Sequence, residues 1–105
     1  EKTIEGDRPE EVEIAKGEED NLKRIKGIGP KNEEQLNKLG IFTFAQITTW
    51  TPDNISWVEG YLSFPGRIQR EDWIGQAVAL ASGDETEFSK RVDKGQVDSS
   101  KKSDT

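Results

Sequence analysis

Apolar residues recur at helical spacing in several short segments of this chain, and capping residues or breakers separate one segment from the next. Leu22 and Ile25 share one face of a first segment, and Leu36 and Leu39 provide the apolar contacts of a second. Signals for helix starts occur at Asp20 or Asn21, Pro30, Thr43, Thr51, Arg67 and Asp84. Signals for helix ends occur at Gly27, Gly40, Ser63 to Gly66 and Gly83. The pattern therefore predicts short helices joined by tight turns.

Two of the helix starts carry a more specific signal. Thr43 with Gln46 three residues later forms a capping box, which predicts a short helix through Trp50. Thr51-Pro52 repeats a cap followed by proline and starts a helix with an apolar face. We expect a longer helix from Arg67 to Ala81 and a last helix capped by Asp84 with Glu87.

Strand signals are almost absent from the chain. No segment of four or more residues alternates apolar and polar positions, apart from a weak piece from Val12 to Ile14. We therefore expect an all-α protein, a small bundle of five or six short helices around one core, with disordered termini.

Composition places the ordered part in the middle of the chain. Of 105 residues, 30% are hydrophobic and 34% are charged, which leaves little material for a core. Residues 1–20 carry nine acids against three bases, whereas residues 21–50 carry five bases against two acids. We predict an acidic disordered arm at 1–19, a domain at 20–83, a helix at 84–94 and a disordered tail at 95–105.

The residue types present exclude several kinds of chemistry. Without cysteine or histidine the chain has no disulfide, no thiolate or imidazole metal ligand and no histidine base. Glu71 and Asp72 are adjacent, but neighbours on a helix point about 100° apart, and acids are common in a first helical turn. We expect no catalytic residue, no metal and no cofactor, and no apolar run approaches a membrane span. Because the chain starts at Glu1 and contains no methionine, we expect it to be part of something longer.

The stretch "KGIGPK", residues 26–31, is the main candidate for chemistry. Gly27 and Gly29 permit the strained backbone that a turn between two close helices requires, and Ile28 can point inward. The amides of Gly29 and Lys31 would then face outward at a helix start and attract an anion, helped by the ammonium groups of Lys26 and Lys31. The alternative interpretation is a tight turn without chemistry. Dinucleotide and Walker loops are excluded by the missing strand and the wrong glycine spacing.

The run "LKRIKGIGPKNEEQLNKLGI", from Leu22 to Ile41, resembles the helix-hairpin-helix family. The resemblance implies a SAM-like helical fold whose hairpin grips the phosphate backbone of DNA or RNA without reading bases. That role transfers to the matching positions Gly27, Ile28, Gly29 and Lys31. The family usually has small or neutral residues after the lysine, where this chain has Asn32, Glu33 and Glu34. These acids oppose a phosphate, so nucleic-acid binding should be weak and salt-dependent.

A longer resemblance covers roughly Asn21 to Val97, carried by the spacing "F-x-x-I…W-T…W-V…G-R-I…R-E-D-W". It is similar to the carboxyl-terminal extension of the thioredoxin-like iron–sulfur component of bacterial NADH–quinone oxidoreductases. Similar modules are appended to a large-subunit ribosomal protein. The resemblance implies a cytoplasmic accessory module, non-catalytic, that docks on protein or RNA, and in a respiratory complex it would lie at the cytoplasmic face of the membrane.

Three further residues are candidates for a second contact. Arg67 and Arg70 follow the tight turn at Pro65-Gly66 and could form a second phosphate grip or simply a solvated helix start. Trp57 is offset from the apolar face of its helix and could contact a partner, although core packing is the default for tryptophan.

Two hypotheses follow from the sequence. The first is a docking module for a protein partner within a larger assembly such as NADH–quinone oxidoreductase. The second is weak, sequence-independent binding of the DNA or RNA backbone through Gly27 to Lys31, damped by an acidic arm that folds over the basic patch.

Overall fold

The computed structural model of this chain describes residues 4–95. The predicted tail from residue 96 onward and the first three residues of the predicted arm lie outside the described residues. Within the described part the fold is all-α. A 3-10 helix at Leu22–Arg24 is followed by six α helices: α1 Pro30–Lys38, α2 Phe44–Thr48, α3 Pro52–Leu62, α4 Arg67–Arg70, α5 Trp73–Ala81 and α6 Glu87–Asp93.

The predicted helix starts at residues 21, 43 and 51 are confirmed by their cap geometry. The Asn21 side chain accepts a hydrogen bond from the amide of Lys23, and Thr43 with Gln46 forms the expected capping box. Thr51 caps α3 and forms a second box with Asn54. Asp20, the other candidate for the first cap, instead accepts from the amide of Phe44 at 2.8 Å. It therefore ties the chain before the 3-10 helix to the start of α2.

The predicted continuous helix from Arg67 to Ala81 is wrong, because the chain breaks it at Asp72. This residue adopts the left-handed conformation, with φ 53°, and its side chain accepts from the amide of Gly75 as the cap of α5. The last helix also starts differently from the prediction. Thr86 with Ser89 forms its capping box, in place of Asp84 with Glu87.

The core is built from the apolar faces of the short helices. Trp73 of α5 is fully buried and meets the Phe64 ring edge-on at a centroid distance of 5.5 Å. Helix α5 packs along α2, and α6 packs against the 3-10 helix, with Ser89 and Val92 buried. The other fully buried side chains among the described residues include Leu22, Ile25, Ile28, Leu36, Ile41, Ile47, Val58, Ile68 and Ala77.

Residues 4–15 contain no helix or strand, yet they lie along the surface of the bundle. The amide of Asp7 donates to the carbonyl of Asp53 at 3.1 Å, and the amide of Val12 donates to the carbonyl of Gly40 at 3.1 Å. Pro9 is buried, and the Arg8 guanidinium lies 5.8 Å from the centroid of the Trp57 ring. These contacts, which the sequence did not predict, attach the segment to α3 and to the end of α1.

Between residues 4 and 95, no helix combines the length and apolarity that crossing a membrane would require.

Candidate functional site

The turn that carries the candidate site is closed at Gly27. This glycine has φ 107°, in the left-handed region, so the sequence prediction of a strained glycine at this position is confirmed. A Cβ atom here would overlap the Glu71 carboxylate and would lie 2.6 Å from the indole nitrogen of Trp73. Gly27 therefore meets two requirements. The backbone has a left-handed φ at this position, and Glu71 and Trp73 lie too close to leave room for a side chain.

Two contacts hold the turn in place, one with the core and one with α5. Ile28 is only 2% exposed, which confirms that it points into the core. Gln76 of α5 accepts from the amide of Lys26 at 2.8 Å and donates to the carbonyl of Glu71 at 2.8 Å. The hairpin backbone is thus held by a side chain that lies fifty residues further along the chain.

The start of α1 leaves main-chain donors open. Gly29 is the residue before the helix, and no side chain caps it. Within the described part of the chain, the amides of Gly29 and Lys31 donate no hydrogen bond to another protein group. The Lys26 and Lys31 side chains beside them are exposed. Gly29 itself has φ −97°, which any residue adopts, so the expectation of a strained backbone at Gly29 is wrong, and of the two glycines in the hairpin turn only Gly27 is left-handed.

The two acids that follow the hairpin have different roles. Glu33 is only 19% exposed, and its carboxylate accepts from the amide of Leu22 at 3.0 Å and from the Lys23 ammonium at 3.0 Å. Glu33 is therefore partly neutralised and directed at the 3-10 helix, whereas Glu34 is exposed. Of the two carboxylates expected to oppose a phosphate, one is engaged inside the fold.

Comparison with protein-family models finds a match that covers the hairpin. The model described as the RS2/RL21/YNQ2 HHH domain matches residues 22–81, more than half of the chain and all of the hairpin. The chain belongs to this family.

Relatives of the HHH domain occur in three kinds of bacterial protein. An uncharacterized 22.9 kDa protein in the nqo2 3′ region of Paracoccus denitrificans is 46% identical over 87 residues, which cover 82% of this chain and 40% of that protein. The large ribosomal subunit protein bL21 of Jannaschia sp. is 48% identical over 66% of this chain and 27% of its own length. The small ribosomal subunit protein uS2 of Methylobacterium nodulans is 37% identical over 62% of this chain and 19% of its own length.

The HHH domain thus spans 40% or less of the length of these relatives. No solved structure matches the chain.

The three residues predicted to form a second contact differ in their surroundings and exposure. Arg67 donates to Glu71 at 3.1 Å, and Glu71 packs on Gly27, so Arg67 lies beside the hairpin but is already paired. Arg70 is exposed on α4. Trp57 is half-buried and stacks on Tyr61 at a centroid distance of 5.4 Å beneath the N-terminal segment. A second contact through Arg67, Arg70 or Trp57 stays a prediction.

Sequence reasoning missed two residues that shape the hairpin. Glu71 fills the space beside Gly27 and accepts from the Trp73 indole at 3.3 Å, and Gln76 fixes the backbone at Lys26. Both lie far from the hairpin in sequence, so no local spacing connects them to it. The stretch at residues 26–31 therefore forms only part of the site, and Glu71 and Gln76 supply the rest.

Proposed function

We propose that this HHH domain is a non-catalytic binding module, an accessory domain of a larger bacterial protein, and that its hairpin binds the phosphate backbone of RNA. The observation that carries the proposal is the open pair of amides at Gly29 and Lys31, flanked by the exposed ammonium groups of Lys26 and Lys31. Donors and positive charge at a helix start suit an anion. The occurrence of the same domain in bL21 and uS2, proteins of the two ribosomal subunits, supports RNA as the source of that anion.

The engagement of Glu33 makes this proposal stronger than the sequence alone did. A carboxylate that accepts from Leu22 and pairs with Lys23 repels an incoming phosphate less than a free one would. Only about two or three phosphate contacts remain available, so binding should be weak at physiological salt and should fall steeply as salt increases.

The test is a titration of a labelled single-stranded oligouridylate with the full chain at low salt. Lys31→Glu should lower the affinity by at least about tenfold, because it replaces attraction by repulsion at the open amides. Lys38→Glu is the matched control, because it makes the same change of charge at an exposed lysine at the other end of α1. Equal affinities of the two variants, or no salt-sensitive binding by the unaltered chain, would contradict the proposal.

The second candidate function is docking on a protein partner in a respiratory assembly, as in the resemblance to the iron–sulfur component of NADH–quinone oxidoreductase. The name of the Paracoccus denitrificans relative, which refers to the nqo2 3′ region, favours this candidate. Its test is capture of NADH–quinone oxidoreductase components by the immobilised full chain. Binding of such a component in high salt, unaffected by Lys31→Glu, would replace the RNA proposal by this one.

Non-enzymatic function is part of the proposal. The adjacent acids have structural roles, since Glu71 pairs with Arg67 and Asp72 caps α5. RNA or an assembly component as partner would place the module in the cytoplasm.

A further inference from the structure

We infer that the carboxyl-terminal end of α6 extends the phosphate-binding surface of the hairpin, with Lys90 and Lys94 contacting the same RNA backbone. The inference rests on the proposed function of the hairpin and adds a second basic element to it. Helix α6 lies beyond residues 22–81, so the family match assigns it no role.

The position of α6 is fixed by its contacts with the 3-10 helix that leads into the hairpin. Ser89 and Val92 are buried on its inner face. At its end, the carboxylate of Asp93 accepts from the Arg24 guanidinium at 3.1 Å. This bridge places the end of α6 against the 3-10 helix, two residues before Lys26 in the chain.

The charges of the last helix are separated along its length. The acids Asp84, Glu85 and Glu87 lie before or at its first residue, and the bases Lys90, Arg91 and Lys94 lie between its middle and its cap, where the acid Asp93 is paired with Arg24. Complementarity to the helix dipole accounts for this order on one isolated helix. It does not account for the direction of the helix, which brings its carboxyl-terminal end, with Lys94 beside the paired Asp93, to Arg24.

Two of the three bases are suitable for phosphate contact. Lys90 and Lys94 are four residues apart, so they lie on one face of α6, and both are exposed. Arg91 differs from them, because its guanidinium lies 5.7 Å from the centroid of the Phe88 ring. Lys90 and Lys94 would thus add two phosphate contacts to those of the hairpin and lengthen the track along the backbone.

The experiment compares Lys90→Glu and Lys94→Glu with Lys38→Glu in the oligouridylate titration, using the full chain. Each α6 variant should lower the affinity by about fivefold, the effect of one exposed ion pair, and Lys38→Glu should not. Each should also reduce the slope of log affinity against log salt by about 0.7, the value for one lost contact to a single strand. The Lys90→Arg and Lys94→Arg variants keep the charge and should bind like the unaltered chain.

Four outcomes decide the inference. If the α6 variants bind like Lys38→Glu while Lys31→Glu still binds weakly, the inference is wrong and the hairpin proposal stands. If Lys31→Glu also binds like Lys38→Glu, the hairpin proposal itself is wrong. Loss of binding accompanied by a lower melting temperature, with no recovery in the arginine variants, would indicate that α6 acts only through stability and would overturn the inference. Loss at unchanged melting temperature, recovered by arginine, supports it.

Discussion

Adjacent residues of the same type have different roles at the start of α1. Glu33 and Glu34 are adjacent acids near the amino end of a helix, where acids are favourable, and the sequence does not distinguish their roles. In the structure only Glu33 turns toward the 3-10 helix, where it accepts from the buried Leu22 and from Lys23. A carboxylate that was expected to oppose ligand binding is therefore part of the support of the hairpin.

Glu33→Ala and Glu34→Ala should separate stability from binding. The first removes the acceptor of the Leu22 amide and should lower the free energy of unfolding by about 1–3 kcal/mol. The second changes an exposed residue, so its free energy of unfolding should stay within about 0.5 kcal/mol of that of the unaltered chain. It should raise the affinity for oligouridylate, because one repelling charge is lost. Urea unfolding and the RNA titration measure the two effects. Equal loss of stability in both variants would contradict the assigned roles.

Gly27 and Gly83 form a second matched pair. Both have positive φ, 107° and 89°, but a Cβ at Gly27 would meet Glu71 and Trp73, whereas a Cβ at Gly83 has no described atom within 4 Å. Gly83→Ala should lower the free energy of unfolding by about 1 kcal/mol through backbone strain alone. Gly27→Ala should lose about 1–3 kcal/mol more, because the added methyl displaces the half-buried Glu71 and the buried Trp73.

Thermal unfolding of the two alanine variants of Gly27 and Gly83 provides the measurement. A Gly27→Ala protein as stable as Gly83→Ala would show that Glu71 and Trp73 move aside freely and that the hairpin is not held as described.

At the scale of elements, the N-terminal segment belongs to the packed structure although its composition predicts disorder. It has few apolar residues, so its attachment depends on backbone hydrogen bonds from Asp7 and Val12 and on the burial of Pro9. Contacts of this kind leave no periodic pattern in the sequence. An acidic, apolar-poor segment can therefore be fixed without any signal that distinguishes it from a free one.

Gly6→Ala and Gly17→Ala test the attachment of the segment. Both glycines have positive φ, but only at Gly6 would a Cβ overlap the carbonyl of Asp53 and approach the amide of Trp57 to 2.9 Å. Gly6→Ala should detach the segment, shift the indole resonance of Trp57 and increase hydrogen exchange at Val12. Gly17→Ala should leave both unchanged, since a Cβ there has no described neighbour within 4 Å. Identical spectra for the two variants would mean that the segment does not rest on α3.

The break at Asp72 shows the limit of periodicity within one element. Residues 67–81 are apolar enough at helical spacing to predict one helix, and no glycine or proline interrupts them before Gly75. Asp72 takes the left-handed conformation and caps the helix that follows, so α4 and α5 can point in different directions. Asparagine and aspartate tolerate that conformation better than most residues, but their presence alone does not mark a break.

For the molecule as a whole, the described contacts place the part of the acidic N-terminal segment around Glu11 at the far end of α1 from the hairpin turn. Glu11 lies against Gly40, just past the last residue of α1, whereas Gly29 precedes the first. A helix of that length separates its ends by about 14 Å, which exceeds the Debye length of about 8 Å at physiological salt. For the acids around Glu11, this distance favours a screened, long-range effect over direct covering of the basic patch.

Replacement of Glu10, Glu11 and Glu13 by glutamine tests this effect. The triple variant should bind oligouridylate more tightly at low salt, because three repelling charges are removed, and within about twofold of the unaltered chain at physiological salt, where they are screened. Affinities at two salt concentrations provide the measurement. A large gain that persists at physiological salt would indicate that these acids contact the hairpin directly.

The sequence by itself determined the helical class, the caps at Asn21, Thr43 and Thr51, and the inward position of Ile28, because each depends on residues within one or two turns of one another. Only the tertiary structure decided which acid supports the hairpin, what fills the space beside Gly27, and where the N-terminal segment and α6 lie. These depend on a few specific contacts between residues far apart in the chain. Local periodicity and capping preferences contain no information about such contacts.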